Sequence, residues 1–212
     1  MVNFLKLYFI CFSTFLYFTK NNAQETASFQ LPYTEGMKID LNLDECFIIK
    51  ITADKAIDYI EVKSKSEGVY ENQMRLDYEQ NEEELRLFTT YPKLLSSGFD
   101  KLSSHKVLVF EVEIKVPENT QLYLESNVGF VEVSGKFYSF TADLKYGDID
   151  LKPFTGKAKI STYRGHINLS TQDAKVEATS RKGNVEVDDF YYPKNLIQLQ
   201  SIEGDIKVVS FN

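Results

Sequence analysis

Two histidines, His105 and His166, and two cysteines, Cys11 and Cys46, supply all the imidazole and thiol chemistry of this 212-residue chain. A histidine acid–base or metal centre needs partners at fixed geometry, and neither histidine has an identifiable one. His105 falls in the polar run 96–106 (SSGFDKLSSHK) and His166 at an outward position of a repeat, so both read as ordinary surface residues. The sequence has no G-x-S-x-G, H-E-x-x-H or C-x-x-C, and no glycine-rich phosphate loop closing on Lys-Ser or Lys-Thr. The expectation is a protein that is not an enzyme, with no catalytic residue, no metal and no cofactor.

Two other sets of side chains could do chemistry if the fold brings them together. Asp148, Asp150, Glu186 and Asp205 are expected on one outward face, where stacked carboxylates could attract calcium. The G-G-x-G-x-D nonapeptides of a calcium β-roll are missing, and Asn168 and Asn184 interleave the acids, so hydrated carboxylates are the expected state. The second set is Lys145, Tyr146, Tyr163, Arg164, Arg181 and Lys182, the residues just before three regularly spaced glycines. If those glycines stack, the six side chains form a basic and aromatic stripe that could grip an anionic sugar or a lipid headgroup. The plainer reading of the same stripe is a set of solvated gatekeepers that keeps β edges soluble.

Whether either set assembles depends on an internal repeat. Gly129, Gly147, Gly165 and Gly183 follow one another at intervals of 18 residues, and Gly204 follows after 21. Counted from each glycine, positions −7, −5, +2 and +4 are apolar in all five units, from Leu122, Leu124, Val131 and Val133 to Ile197, Leu199, Ile206 and Val208. The positions between them are polar, with Tyr123 and Phe130 the exceptions. Each unit therefore reads as a short strand, a tight turn at glycine and a second short strand facing the same way. Positive φ is the expected reason for glycine at the turn.

Eighteen residues at ~3.3 Å each make a contour of roughly 60 Å, enough for one flattened coil. In-register stacking penalises unequal rungs, so constant spacing favours stacked coils over a meander of hairpins. Phe137, Phe154, Phe190 and Phe211 recur where they could close the other corner, and the extra residues near Tyr191, Tyr192 and Pro193 read as an outward loop. The fold class expected is all-β: a short right-handed β-helix, or solenoid, of 18-residue coils over residues 117–212. A β-rich half, residues 24–116, precedes it and caps its first coil as part of one continuous domain.

In that half, strands are expected at 47–52, 59–64, 73–78, 85–90 and 107–116, with Asn81 to Glu84 at a hairpin tip. Cys46, in the apolar run CFII, reads as a buried small hydrophobe.

Residues 1–23 are set apart from the fold. Leu7 to Phe18 form an apolar stretch of twelve residues, where a bilayer-spanning helix takes ~20. Polar residues ending at Ala23 follow, so the segment reads as a secretory signal peptide cut near Ala23 or Gln24, an uncut membrane anchor being the alternative. Cys11 leaves with it; Ile10 precedes Cys11 where a lipobox needs a small residue. Removing Lys6 and Lys20 takes the formal charge from −7 to −9. Such acidity argues against a nucleic-acid partner, which requires a basic face. The remaining chain is expected to be secreted, periplasmic or on the cell surface, and not membrane-spanning.

The segment from Val112 to Gly135 (VEIKVPENTQLYLESNVGFVEVSG), followed by YGDIDL, RGHINL, KGNVEV and EGDIKV, resembles a bacterial adhesin family of unknown function that includes head-GIN-type domains. Gly165-His166-Ile167-Asn168 spells its G-x-I-N element. The resemblance implies an exported, non-enzymatic β-helical domain at the cell envelope and brings no catalytic residues with it. The leading expectation is adhesion, with a glycan or envelope protein as partner. A periplasmic structural or envelope-stress accessory protein is the alternative, and a β-helical polysaccharide-active enzyme comes third. A weak homodimer through the last coil, residues 196–212, is also expected, because that coil would otherwise expose Val208 and Phe211 at an open end.

Overall fold

A computed structural model of the chain describes residues 25–68, 74–90 and 108–211. The expected signal peptide, the polar run 96–106 and His105 lie outside the described residues. Among the described residues there are fifteen strands and no helix, as period-two alternation without helical amphipathicity requires.

The strands wind into a flattened stack with two faces. On the front face β8 (Gln121–Val128) lies beside the second half of β9 (Phe130–Tyr146), with Leu122 opposite Phe140. That half of β9 lies in turn beside the second half of β10 (Ile149–Arg164), with Phe140 opposite Ala158. On the back face the first halves of β9 and β10 pair, Val131 with Ile149, and β10 continues to β11 (Ile167–Thr171), Ile149 with Ile167. All these pairs are parallel. β9 and β10 run 17 and 16 residues because each bends round the far corner and serves both faces. Inside that corner Phe137 stacks on Phe154 at 5.7 Å, both buried, whereas Phe190 and Phe211 are only half-buried.

The order of the last two coils departs from the order of the sequence. The unit at Gly183 should follow that at Gly165, yet β10 pairs with β14 (Asn195–Glu203), Ala158 opposite Ile197, and β11 with β15 (Ile206–Ser210), Ile167 opposite Ile206. The earlier strands β12 (Ala174–Ser180) and β13 (Val185–Val187) lie outside them, Val176 against Ile197 and Val185 against Ile206. The chain skips one rung after Thr171 and returns through residues 188–194 to fill it. Burial explains the exchange. The filling coil carries Ile197, Leu199, Ile206 and Val208, each at most 2% exposed. The end coil carries the smaller set Val176, Ala178, Val185 and Val187, the last two 40% and 42% exposed. Placing the larger apolar side chains inside removes more surface from water. Val208 is thus buried between β11 and β13, and the chain's final coil is not the open end that was expected to dimerise.

The turn glycines record the same order. A Cβ on Gly147 would overlap the carbonyl oxygen of Gly129, one on Gly165 that of Gly147, one on Gly204 that of Gly165, and one on Gly183 that of Gly204. Gly129 stands in the same way on Cys46, whose buried thiol has its pKa pushed far up by burial and then by Asp44 and Glu45. Hydroxyls three residues before the glycines satisfy the stacked carbonyls: Ser201 Oγ donates to Gly165 O at 3.0 Å and Ser180 Oγ to Gly204 O at 2.7 Å. φ is positive at Gly129 and Gly147 but lies outside the left-handed region at Gly165, Gly183 and Gly204. Lack of room is therefore the requirement common to the column, and positive φ is not.

Below β8 the stack continues without the 18-residue period. β2 (Lys38–Asn42) pairs with β8, Ile39 opposite Leu122, and β3 (Ile48–Asp54) with β9, Ile49 opposite Val131. Beyond them β6 (Glu84–Thr90) and β7 (Leu108–Pro117) add further parallel strands. The faces then close with antiparallel strands: β5 (Arg75–Gln80) on β6, β4 (Tyr59–Gly68) on β7, and β1 (Glu25–Pro32) on β4. Asn81 makes the β5–β6 tip by accepting the N–H groups of Glu83 and Glu84, each at 2.9 Å.

Gly165→Ala should cost about 3 kcal/mol through backbone overlap, although its φ is ordinary. Gly36→Ala, at φ +87° with nothing within 4 Å of the new methyl, should cost about 1 kcal/mol through φ alone. Urea unfolding of the two variants measures the difference, and the opposite ranking would remove close packing from the turn.

Candidate functional site at the glycine corner

Outward side chains beside the glycine column follow the spatial order of the coils. Tyr146 lies opposite Arg164, and Arg164 opposite Glu203. Tyr146 and Tyr163 meet edge to face at 6.3 Å, with Lys145 Nζ 5.5 Å and Arg164 Cζ 5.8 Å from the Tyr146 ring. Four of the six expected stripe residues therefore form one cluster. Lys182 does not join it directly, because the filling coil inserts Glu203: Arg164 Nε donates to Glu203 Oε2 at 2.8 Å and Lys182 Nζ to Oε1 at 2.6 Å. Arg181 is exposed and carries no ion pair among the described residues. The expected continuous basic stripe is thus corrected to a Tyr–Tyr–Lys–Arg corner bounded by a carboxylate.

Glu203 is held below the ordinary carboxylate range, first by the Lys182 hydrogen bond and then by that of Arg164, and both cations are raised in return.

The expected carboxylate face is also rearranged. On the column just after the glycines, Asp148 Oδ1 accepts the His166 N–H at 2.7 Å, His166 Nδ1 accepts the Asp205 N–H at 3.0 Å, and Asp205 Oδ1 accepts the Asn184 N–H at 2.7 Å. Two residues further, Asp150 takes Lys152 at 2.9 Å and Asn168 Nδ2 at 2.8 Å, and Lys207 lies between Asn168 and Glu186. Asp148, Asp150, Glu186 and Asp205 do not form one stack, and no group of three or more potential metal ligands occurs among the described residues. His166, expected as a plain surface residue, is a link between rungs through its backbone N–H and its Nδ1.

A second concavity went unread in the sequence. Where the chain skips and refills a rung, a cleft of about 570 Å³ is lined by Asp173, Asp188, Asp189, Phe190, Tyr191 and Tyr192 among others. Tyr191 is 91% and Tyr192 76% exposed. The 21-residue interval before Gly204 was its only signal.

This stack defines a β-solenoid-like domain, closed by antiparallel strands at one end and, among the described residues, open at the other. The chain belongs to the Toastrack DUF4097 family, whose model matches residues 35–212, from just before β2 to the C-terminus. It is similar in fold to a putative cell adhesion protein from Clostridium sporogenes, at 17% identity over 89% of this chain and 100% of that one, with a TM-score of 0.68. A putative adhesin from Bacteroides fragilis aligns over 89% of this chain and 99% of that one, at 10% identity and a TM-score of 0.40. No curated protein matches the chain.

A carboxyl whose folded pKa is depressed contributes stability above its unfolded value, and that contribution is lost as pH falls through the folded value. The Glu203 trio should therefore persist through mildly acidic pH. Carboxyl NMR should show Glu203 titrating below the ordinary glutamate range, and Lys182→Ala should move it up. An ordinary Glu203 titration would contradict the bridge.

Proposed function

We propose that the chain is a non-enzymatic, exported binding domain of the bacterial envelope, an adhesin-like protein that presents the Tyr146–Tyr163 corner to an acidic glycan. The carrying observation is that pair of tyrosines, 41% and 46% exposed, held edge to face with Lys145 and Arg164 at the Tyr146 ring. A half-exposed aromatic ring offers an apolar face to the C–H side of a sugar, while an ammonium group answers a carboxylate. Arg164 is committed to Glu203, so Lys145 is the cation available to such a ligand. Rigidity comes from the rungs on either side, which fix the four side chains without a mobile loop.

The apolar stretch Leu7 to Phe18 supports export, and the name given to the Clostridium sporogenes structure supports a surface role. In this reading the coils wind right-handed, as crossovers between parallel strands do, and the G-x-I-N element at Gly165 to Asn168 supports a head-GIN-type placement. The cleft at Tyr191 and Tyr192 supports a second reading, in which a neutral sugar stacks there.

On a glycan array the purified chain should retain acidic glycans. Tyr146→Ala with Tyr163→Ala, or Lys145→Glu, should reduce retention at least tenfold, and Tyr191→Ala with Tyr192→Ala should leave it unchanged. Loss through the second pair alone would move the site to the cleft. Retention of no glycan would overturn the reading in favour of an envelope accessory protein with a protein partner.

A further inference from the structure

The open end of the stack carries a strand edge whose chemistry specifies its own partner. β12 pairs only with β14 and β13 only with β15, so one side of each lacks a neighbour among the described residues. The N–H and C=O of one residue point to the same side of a strand, and alternate residues point to opposite sides. Asp173 O accepts from Asn195 N, and Arg181 N–H donates to Ser201 O, so odd-numbered residues between them face inward. Ala174, Val176 and Ala178 therefore direct their backbone groups away from the stack.

We propose that β12 pairs antiparallel with β12 of a second copy across a two-fold axis at Val176. In that register Val176 lies opposite its own copy and Ala174 opposite Ala178, each as a hydrogen-bonded pair formed by the outward backbone groups. Lys175 then faces Glu177 of the other copy, twice, in the closer non-hydrogen-bonded positions. Neighbouring registers fail on charge: centring on Lys175 or Glu177 sets like charges face to face, and centring on Ala178 sets Lys175 against Arg181. Centring on Ala174 leaves most of the strand unpaired.

Lys175 and Glu177 are bonded to each other at 3.0 Å within the strand, with side chains 67% and 46% exposed, so an exchange of partners across the axis needs no buried group to move. The pairing covers the half-buried Val176 and Ala178 and brings a second copy over Val185 and Val187. It closes the end through a symmetric contact and leaves no β12 edge to recruit further chains. The proposal is independent of any glycan reading.

Sedimentation of the purified chain from one to several hundred micromolar should show a monomer–dimer equilibrium. Lys175→Glu and Glu177→Lys should each weaken it at least tenfold, and the double variant, which restores opposite charges across the axis, should recover it. In the unmodified protein, amide exchange at Val176 and Ala178 should slow as concentration rises. A monomer at every concentration, a dimer indifferent to both single reversals, a double variant that stays monomeric, or exchange independent of concentration would each overturn the proposal.

Discussion

Everything in this molecule depends on backbone meeting backbone at one corner. Parallel rungs lie ~4.8 Å apart, and at the turn each carbonyl oxygen occupies the place where a Cβ of the next rung would be. A glycine is required there whatever its φ. Once the rungs are locked at this height, inward positions share one core and outward positions form columns, so hydroxyls, carboxylates and His166 can bond from one coil to the next. The corner cluster of Tyr146, Tyr163, Lys145 and Arg164 is a product of that spacing.

Stacking alone does not say which coil lies on which. Coils with the same inward pattern are interchangeable as far as hydrogen bonding goes, and the choice falls to the amount of apolar surface each can bury. Ile197, Leu199 and Ile206 outweigh Val176, Ala178 and Val185, so the later coil takes the inner place. Residues 188–194 supply the length for the return. This exchange sets Glu203 between Arg164 and Lys182 and leaves β12 and β13 at the open end.

The repeat was legible in the sequence because period-two alternation and glycine spacing are local: the inward residues from Leu122 to Val208 are those the structure buries, apart from those of the end coil. Strands β3, β5, β6 and β7 lay within two residues of their expected starts and ends, because each carries its own alternation, and β4 ran on to Gly68, four residues past its expected end. The order of coils was not legible, since a period marks positions as equivalent without saying which are adjacent. The coil of β2 and β3 was hidden for a related reason, its partners in the repeat lying more than 80 residues away, as Ile39 pairs with Leu122 and Ile49 with Val131. The site suffered most: Lys145 to Arg164 are neighbours in both orders and were found together, whereas Glu203 enters only through the exchange. The serine and threonine hydroxyls three residues before the glycines were a readable signal of turn stacking.

The exchanged order is tested most directly by cysteine pairs on the back face, where Asn168 lies opposite Lys207 and Lys207 opposite Glu186. A disulfide needs Cα atoms about 4.4–6.8 Å apart, which adjacent rungs satisfy and rungs one apart, at roughly 10 Å, do not. Oxidation of Asn168→Cys with Lys207→Cys should therefore form an intramolecular disulfide, with Cys46 buried and uninvolved, and Asn168→Cys with Glu186→Cys should remain reduced. A disulfide in the second variant and none in the first, with both folded by circular dichroism, would place the coils in sequence order and contradict the account.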